Sequence, residues 1–89
     1  MRRAARIDAN QSEIVEALRA AGAQVQSLAA VGRGVPDLLV GFRGRLFLFE
    51  VKQLGAALTP DEARWHGQWG DMPLFVVRSV DEALERLLP

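Results

Sequence analysis

The chain has 89 residues, a formal net charge of zero, no cysteine, 49% hydrophobic residues and 25% charged residues. A chain of this length forms one domain with a small core, so we expect residues 1–89 to be a single domain. The lack of cysteine excludes disulfides and thiolate metal sites, and zero net charge excludes a protein that holds nucleic acid mainly through a strong overall positive field. With no apolar stretch near the roughly 20 residues of a membrane span and no signal-peptide pattern, we expect a soluble intracellular protein.

The first predicted elements are a helix and a short strand. Apolar residues recur at spacings of three and four over Asn10–Ala21, which predicts an amphipathic helix capped by Asn10 and ended by Gly22. Polar and apolar residues alternate over 24–28, which predicts a strand with one solvated face. Glycines and a proline over 32–36 then indicate a loop.

Two further strands are predicted over Asp37–Val40 and Arg45–Val51. The segment between them, Gly41-Phe42-Arg43-Gly44, is typical of a hairpin turn, so these strands should pair antiparallel. Successive side chains of a strand point to opposite faces, so Phe47, Phe49 and Val51 should face the core.

The second half of the chain predicts a helix, a strand and a last helix. Thr59-Pro60-Asp61-Glu62 has the pattern of a capping box that begins a helix ending near Trp69. Leu74–Val77 predicts a buried strand, and Ser79-Val80-Asp81-Glu82 begins another capped helix that runs through Leu88. Because a helix joins the third and fourth strands, they should lie parallel with a right-handed crossover. We therefore expect an α/β fold in the order helix, three strands, helix, strand, helix, with a mixed four-stranded sheet flanked by helices.

The residues that indicate chemistry lie on the two strands of the hairpin. Glu50 and Lys52 project to one side of their strand, roughly 7 Å apart, and the hairpin register would place Asp37 near Glu50. Carboxylates so placed repel each other unless a cation or a proton lies between them. Oxygen ligands favour a hard cation, so we expect Mg²⁺, with Mn²⁺ as a substitute. Such an ion beside a lysine can support phosphodiester hydrolysis.

These residues also resemble a known family. The resemblance is to the stand-alone VRR-NUC domain, a compact branch of the PD-(D/E)XK nucleases, and it runs from about residue 8 to residue 88. The matching segments are Gly34-Val35-Pro36-Asp37-Leu38-Leu39-Val40-Gly41, Phe49-Glu50-Val51-Lys52, Leu58-Thr59-Pro60 and Val77-Arg78-Ser79-Val80-Asp81-Glu82-Ala83-Leu84.

The resemblance implies a restriction-endonuclease-like core and DNA cleavage that depends on Mg²⁺ or Mn²⁺. It implies that Asp37, Glu50 and Lys52 are catalytic positions. It also implies that the Val51 carbonyl and the Glu13 carboxylate join Asp37 and Glu50 as metal ligands. The sequence departs from the family at Glu62, where glutamine is common, and over residues 53–57, which form a shorter and less basic segment than usual.

The resemblance further implies partners and a source. Stand-alone members are often viral, and some resemble Holliday-junction resolvases in forming dimers that handle branched DNA. We therefore expect a homodimeric, phage- or prophage-encoded endonuclease that acts on branched or otherwise structured DNA in repair or recombination. The small core and the two tryptophans also favour a dimer.

Several side chains allow two interpretations. Glu13 lies three residues after Asn10 and could close a capping box as well as bind metal, and Glu16 is its substitute as a ligand. For Glu62 we favour the helix cap. His66, the sole histidine, is interpreted as a packing or surface residue in preference to a general base.

Other residues are candidates for contacts with nucleic acid or with a second copy. Trp65 and Trp69 are spaced as one stripe that faces the core or a dimer seam, which we favour over base stacking. Arg33, Arg43 and Thr59 are the candidates for nucleic-acid contacts. The first 52 residues carry eight basic and five acidic side chains, so a phosphate backbone is expected to approach this half.

Two rival functions remain open. The first is a DNA-binding or assembly module that keeps the nuclease fold without cutting. Such a module would bind DNA with salt-dependent affinity and would show no affinity for divalent ions at the acidic site. The second is a purely structural small dimer, which would show neither property.

Overall fold

The structure, a computed structural model, describes residues 9–88. The element order there is the one predicted from the sequence. In chain order the elements are α1 Gln11–Ala20, β1 Gln24–Ser27, β2 Leu38–Phe42, β3 Arg45–Val51, α2 Pro60–Trp69, β4 Leu74–Val77 and α3 Val80–Leu87. None of these helices is long and apolar enough to cross a membrane. Arg2, Arg3, Arg6 and Asp8, which enter the charge balance of the N-terminal half, lie outside the described residues.

The four strands form one mixed sheet in the order β1-β2-β3-β4. β1 pairs antiparallel with β2, and β2 pairs antiparallel with β3. β3 and β4, which are joined through α2, pair parallel. The expected α/β fold with a mixed four-stranded sheet is therefore confirmed.

The β2–β3 hairpin has a tighter turn than the sequence predicted. Strand pairing continues to Phe42 opposite Arg45, so the turn consists of Arg43 and Gly44 alone. Their φ angles are 52° and 79°, and positive φ at both central residues is the signature of a type I′ turn. This turn matches the twist of the strands, so β2 extends two residues further than the expected Val40.

The core lies between one face of the sheet and helices α1 and α3. On β3 the alternation is as predicted, since Phe47, Phe49 and Val51 all belong to the core. The rings of Phe47 and Phe49 have centroids 6.0 Å apart, and those of Phe49 and Phe75 are 6.2 Å apart. The helices contribute Ile14, Leu18, Ala83 and Leu87 to the same cluster.

The N-terminus of α1 differs from the prediction. Asn10 occupies the N-cap position, but its side chain makes no capping hydrogen bond. Its Nδ2 donates instead to the carbonyls of Lys52 at 3.2 Å and Arg78 at 3.0 Å. The capping box that Glu13 was considered to close therefore does not form, because the Asn10 amide ties α1 to the residues that follow β3 and β4.

Helices α2 and α3 begin with the predicted caps. The Thr59 hydroxyl accepts the Glu62 N–H at 3.2 Å, and Glu62 Oε1 accepts the Thr59 N–H at 2.8 Å. In α3 the Ser79 hydroxyl accepts the Glu82 N–H at 3.1 Å. The Glu82 carboxylate accepts the Arg78 N–H at 2.6 Å. The local sequence therefore predicted the start of both helices correctly.

Helix α2 packs differently from α1 and α3, since none of its residues is buried. Trp65 and Trp69 stack with centroids 4.7 Å apart and planes 5° apart, and Trp69 is 45% exposed. The prediction of a core-facing tryptophan stripe is therefore wrong. The two rings can pack on each other because residues four apart lie on the same face of a helix. A role in a dimer seam stays a prediction.

Candidate functional site

Two carboxyl groups meet where β2 begins and β3 ends. The register pairs Leu38 with Phe49, so continuing it by one residue brings Asp37 beside Glu50. Asp37 Oδ2 accepts the Val51 N–H at 2.7 Å, which fixes this side chain against β3. Glu50 is only 1% exposed. The hairpin thus brings together the two acids that the sequence singled out.

The pKa of Glu50 reflects its burial and the carboxylates around it. Burial, followed by repulsion from the carboxylates of Asp37 and Glu62, raises the pKa of Glu50 to about 9. The Lys52 ammonium acts in the opposite direction but does not offset the increase. Without a further positive charge nearby, Glu50 therefore holds a proton at neutral pH, and a divalent cation would compete with that proton.

Lys52, the single lysine of the chain, lies beside the acid pair. It is 9% exposed. Its Nζ is 3.6 Å from Glu50 Oε2 and 2.7 Å from Glu62 Oε1. The lysine and Glu50 share the sheet face opposite to the core, as strand alternation predicts.

Glu62 belongs to this site as well as to the helix cap. Burial tends to raise the pKa of Glu62, but the hydrogen bonds from Lys52 and the Thr59 N–H outweigh it and lower the pKa. The sequence identified the cap and missed the contact with Lys52. The available signal was the departure from the family at this position, where an acid replaces the usual glutamine.

The donor atoms fit a hard cation held by two carboxylates. Glu50 Oε1 is buried and accepts no hydrogen bond from any residue within 9–88. Continuing the hairpin register would place Val51 opposite Pro36, which has no N–H to donate to the Val51 carbonyl. Within residues 9–88 no set of three or more acidic, histidine or cysteine side chains is arranged to hold a metal. Mg²⁺ usually binds through one or two carboxylates and keeps several waters, so Asp37, Glu50 and the Val51 carbonyl are a sufficient set.

Glu13 is exposed on the first turn of α1. It lines a cavity of about 330 Å³ together with Asn10, Gln53 and Arg78, and neither Asp37 nor Glu50 contributes to that cavity. Glu16 is also exposed, and it lines another cavity along α1. The structure does not group either acid with the Asp37–Glu50 pair, and their role as metal ligands stays a prediction.

The three candidates for nucleic-acid contacts lie in different parts of the structure. Arg33 is exposed with a φ of 58° in the loop before β2. Arg43 is in the hairpin turn, about 20 Å along β3 from Glu50 at strand spacing. The Thr59 hydroxyl accepts the Glu62 N–H, which leaves its proton for a further acceptor. Their contacts with DNA stay a prediction.

His66 lies at the edge of the site. The ring is half-buried, and its Nε2 is buried and has no hydrogen-bond partner in the part of the chain that the structure describes. Burial lowers the pKa of His66, the nearby Glu62 carboxylate raises it, and the Lys52 ammonium lowers it further. A half-buried ring on α2 with a lowered pKa agrees with the interpretation as a packing residue.

Comparisons with known proteins agree with this architecture. No sequence-family model and no curated protein matches the chain. Among solved structures, a "VRR_NUC domain" is similar, with a TM-score of 0.71 and 32% sequence identity. The similarity covers 84% of this chain and 86% of the other. At that identity and coverage, on a shared α/β fold, the chain belongs to the VRR-NUC family and is a nuclease-like domain.

Proposed function

We propose that this protein is a divalent-metal-dependent DNA nuclease that hydrolyses phosphodiester bonds. The observation that carries the proposal is the pair formed by half-buried Asp37 and buried Glu50, with Lys52 beside it on the same sheet face. A buried carboxyl group beside a second carboxylate destabilises the fold unless a proton or a bound cation offsets its charge. A VRR-NUC fold that keeps such a pair at the end of a hairpin is suited to phosphate chemistry.

Each residue has a distinct part in the proposed reaction. Asp37, Glu50 and the Val51 carbonyl would hold Mg²⁺, or Mn²⁺ in its place. When bound, the ion polarises the phosphodiester and offsets charge that develops on its oxygens. The Lys52 ammonium orients the attacking water and stabilises negative charge on the phosphate. Asp37 also holds the end of β3 in place through the Val51 N–H.

The test is a cleavage assay with branched, flapped, single-stranded and duplex DNA, each in Mg²⁺, in Mn²⁺ and in EDTA. We expect cutting only with a divalent ion. Asp37→Asn and Lys52→Ala should each reduce the rate on the order of 100-fold, the usual scale for loss of a group that acts on the reacting atoms. Asp81→Asn, which changes an exposed acid in the first turn of α3, is the matched control.

The same assay also distinguishes a nuclease from a module that binds DNA without cutting it. Cutting in EDTA, or unchanged rates for both Asp37→Asn and Lys52→Ala, would overturn the nuclease assignment. Salt-dependent DNA binding without cutting and without divalent-ion affinity would favour a non-cutting assembly module.

We further propose that the substrate is branched or structured DNA and that the nuclease acts as a homodimer. Support for the dimer comes from large apolar side chains exposed to solvent, namely Leu46 at 65%, Met72 at 50% and Trp69 at 45%. Apolar surface of this kind is often an interaction site. Light scattering at high micromolar concentration should give the mass of a dimer, and a monomer would remove this part of the proposal.

A further inference from the structure

The first turn of helix α2 makes close contacts with the rest of the molecule. No residue of α2 is buried, so the apolar packing that holds α1 and α3 is missing from it. Its first turn, in contrast, has a complete capping box formed by Thr59 and Glu62. The position of α2 therefore depends on contacts at its N-terminus.

One of these contacts is with Lys52, the residue that directly follows β3. The distance from Lys52 Nζ to Glu62 Oε1 is 2.7 Å, whereas that to Glu50 Oε2 is 3.6 Å. The side chains of Lys52 and Glu62 are 11% and 18% exposed, so water screens this pair little. The same Oε1 accepts the Thr59 N–H at 2.8 Å. The helix cap thus fixes the atom that holds the ammonium.

A second contact fixes the same turn from the other side. Gly34 has a φ of +83°, and a Cβ built there would collide with the backbone carbonyl of Asp61 and lie 2.9 Å from the Glu62 nitrogen. Only a glycine lets the loop that precedes Asp37 approach α2 this closely. The loop and the helix start therefore pack backbone to backbone at Glu62.

We propose that Glu62 is a positioning residue, which sets the location of the Lys52 ammonium relative to the Asp37–Glu50 pair. The role rests on the proposed nuclease function, since it is Lys52 that would meet the phosphate. Glu62 makes no contact with the reacting atoms, and its proposed role is to hold Lys52 in place. A displaced ammonium would reduce the rate of the chemical step more than it weakens substrate binding.

Glu82 provides a matched comparison. It occupies the same position in the first turn of α3, and its carboxylate accepts a backbone N–H from Arg78. It is exposed and has no contact with Lys52 among the ion pairs of the described residues. Removal of either glutamate should weaken its helix cap to a similar extent, so only a change specific to Glu62 reports on positioning.

The first test measures the mobility of Lys52 and needs neither metal nor DNA. Because Lys52 is the only lysine, lysine labelled with ¹³C at Cε gives a single side-chain NMR signal. We expect a rigid ε-methylene in wild type and in Glu82→Ala, and a mobile one in Glu62→Ala. Glu62→Gln should keep it largely rigid, because the amide oxygen can still accept both the Thr59 N–H and the ammonium. A rigid signal in Glu62→Ala would overturn the proposal.

The second test measures cleavage with the same variants. Glu62→Ala should lose about 10-fold in kcat with little change in KM, as expected for a misplaced catalytic group, whereas Glu62→Gln and Glu82→Ala should stay close to wild type. Equal losses in Glu62→Ala and Glu82→Ala would mean a purely structural role and would end the proposal.

The two proposals can fail separately. If wild type does not cut DNA, the nuclease assignment fails whatever the NMR result. If wild type cuts and the ε-methylene of Lys52 stays rigid in Glu62→Ala, only the positioning role fails.

Discussion

The two faces of the four-stranded sheet are covered in different ways. The face that carries Phe47, Phe49 and Val51 packs against α1 and α3, and its core is apolar throughout. The opposite face of β3 carries Glu50 and Lys52, and α2 meets it without burying any residue of its own. The same strand therefore supplies apolar packing on one side and charged groups on the other.

The difference shows where the stability of a small nuclease-like domain comes from. Burial of the aromatic and aliphatic side chains on the first face drives folding. On the second face, the buried Glu50 carboxyl opposes folding whenever it must ionise. Changes on the first face should mainly alter stability, and changes on the second should alter activity or even stabilise the chain.

Phe49→Ala gives the largest expected effect. Phe49 is fully buried, and truncation of such a ring typically reduces the free energy of unfolding by about 3–5 kcal/mol. Trp69→Ala, on the half-exposed end of α2, should cost about 1 kcal/mol or less. Urea denaturation measures both. Equal losses would show that α2 contributes to the core after all.

Glu50→Gln should stabilise the chain in the absence of divalent ions. The pKa of Glu50 in the folded protein, about 9, exceeds the ordinary glutamate pKa of 4.5, so folding takes up a proton near neutral pH. The contribution of protonated Glu50 to the free energy of unfolding is therefore fully present below pH 4.5. It is lost as the pH rises through about 9. We expect the variant to be about 2–4 kcal/mol more stable at pH 8 and nearly unchanged at pH 5.

Thermal unfolding across this pH range checks the Glu50 prediction. Glu85→Gln, an exposed change in α3, is the control and should show no pH-dependent gain. A Glu50→Gln variant less stable than wild type at both pH values would contradict the assignment of Glu50 as a destabilising carboxyl.

Gly34→Ala and Gly32→Ala together measure the contact between the loop and α2. Both glycines have positive φ, 83° and 71°, but a Cβ at Gly32 meets nothing within 4 Å. Gly32→Ala should cost about 1 kcal/mol for its left-handed backbone, and Gly34→Ala about 1–3 kcal/mol more because it also meets α2. Denaturant unfolding gives the difference. Equal losses of stability in the two variants would mean that α2 shifts without a free-energy cost when a Cβ is added at position 34.

Arg43→Asn should give the smallest effect and a favourable one. Arg43 has a φ of 52° before Gly44 in the hairpin turn, and asparagine tolerates this conformation better than arginine does. We expect a gain of about 0.5–1 kcal/mol. The measurement is a shift in the midpoint of thermal unfolding. An unchanged DNA affinity would show that Arg43 has no phosphate contact, and a loss of stability would contradict the turn assignment.

The sequence predicted the parts of this molecule that depend on local patterns. The hairpin, the two helix caps at Thr59 and Ser79, and the alternation along β3 each rest on residues only a few positions apart. Because β3 follows β2 through a tight turn, the meeting of Asp37 with Glu50 could also be expected. These features specify most of the fold and the centre of the site.

The features that the sequence did not predict depend on distant residues. Asn10 reaches the carbonyls of Lys52 and Arg78, which lie 42 and 68 positions away. The Lys52–Glu62 pair depends on where α2 lies over the sheet, and helical periodicity cannot indicate that position. The expected core-facing position of the tryptophan stripe was wrong for the same reason. The spacing of the two tryptophans places them on one helix face but does not show what that face packs against.

The proposed nuclease depends above all on a metal ion bound between Asp37 and Glu50. Anomalous scattering from a crystal soaked in Mn²⁺ would locate that ion. We expect a peak at about 2.0–2.3 Å from a carboxylate oxygen of each acid, and this peak should disappear in Asp37→Asn. A peak beside Glu13 with none between Asp37 and Glu50, or no ordered ion at all, would show that the pair is not a metal-binding centre.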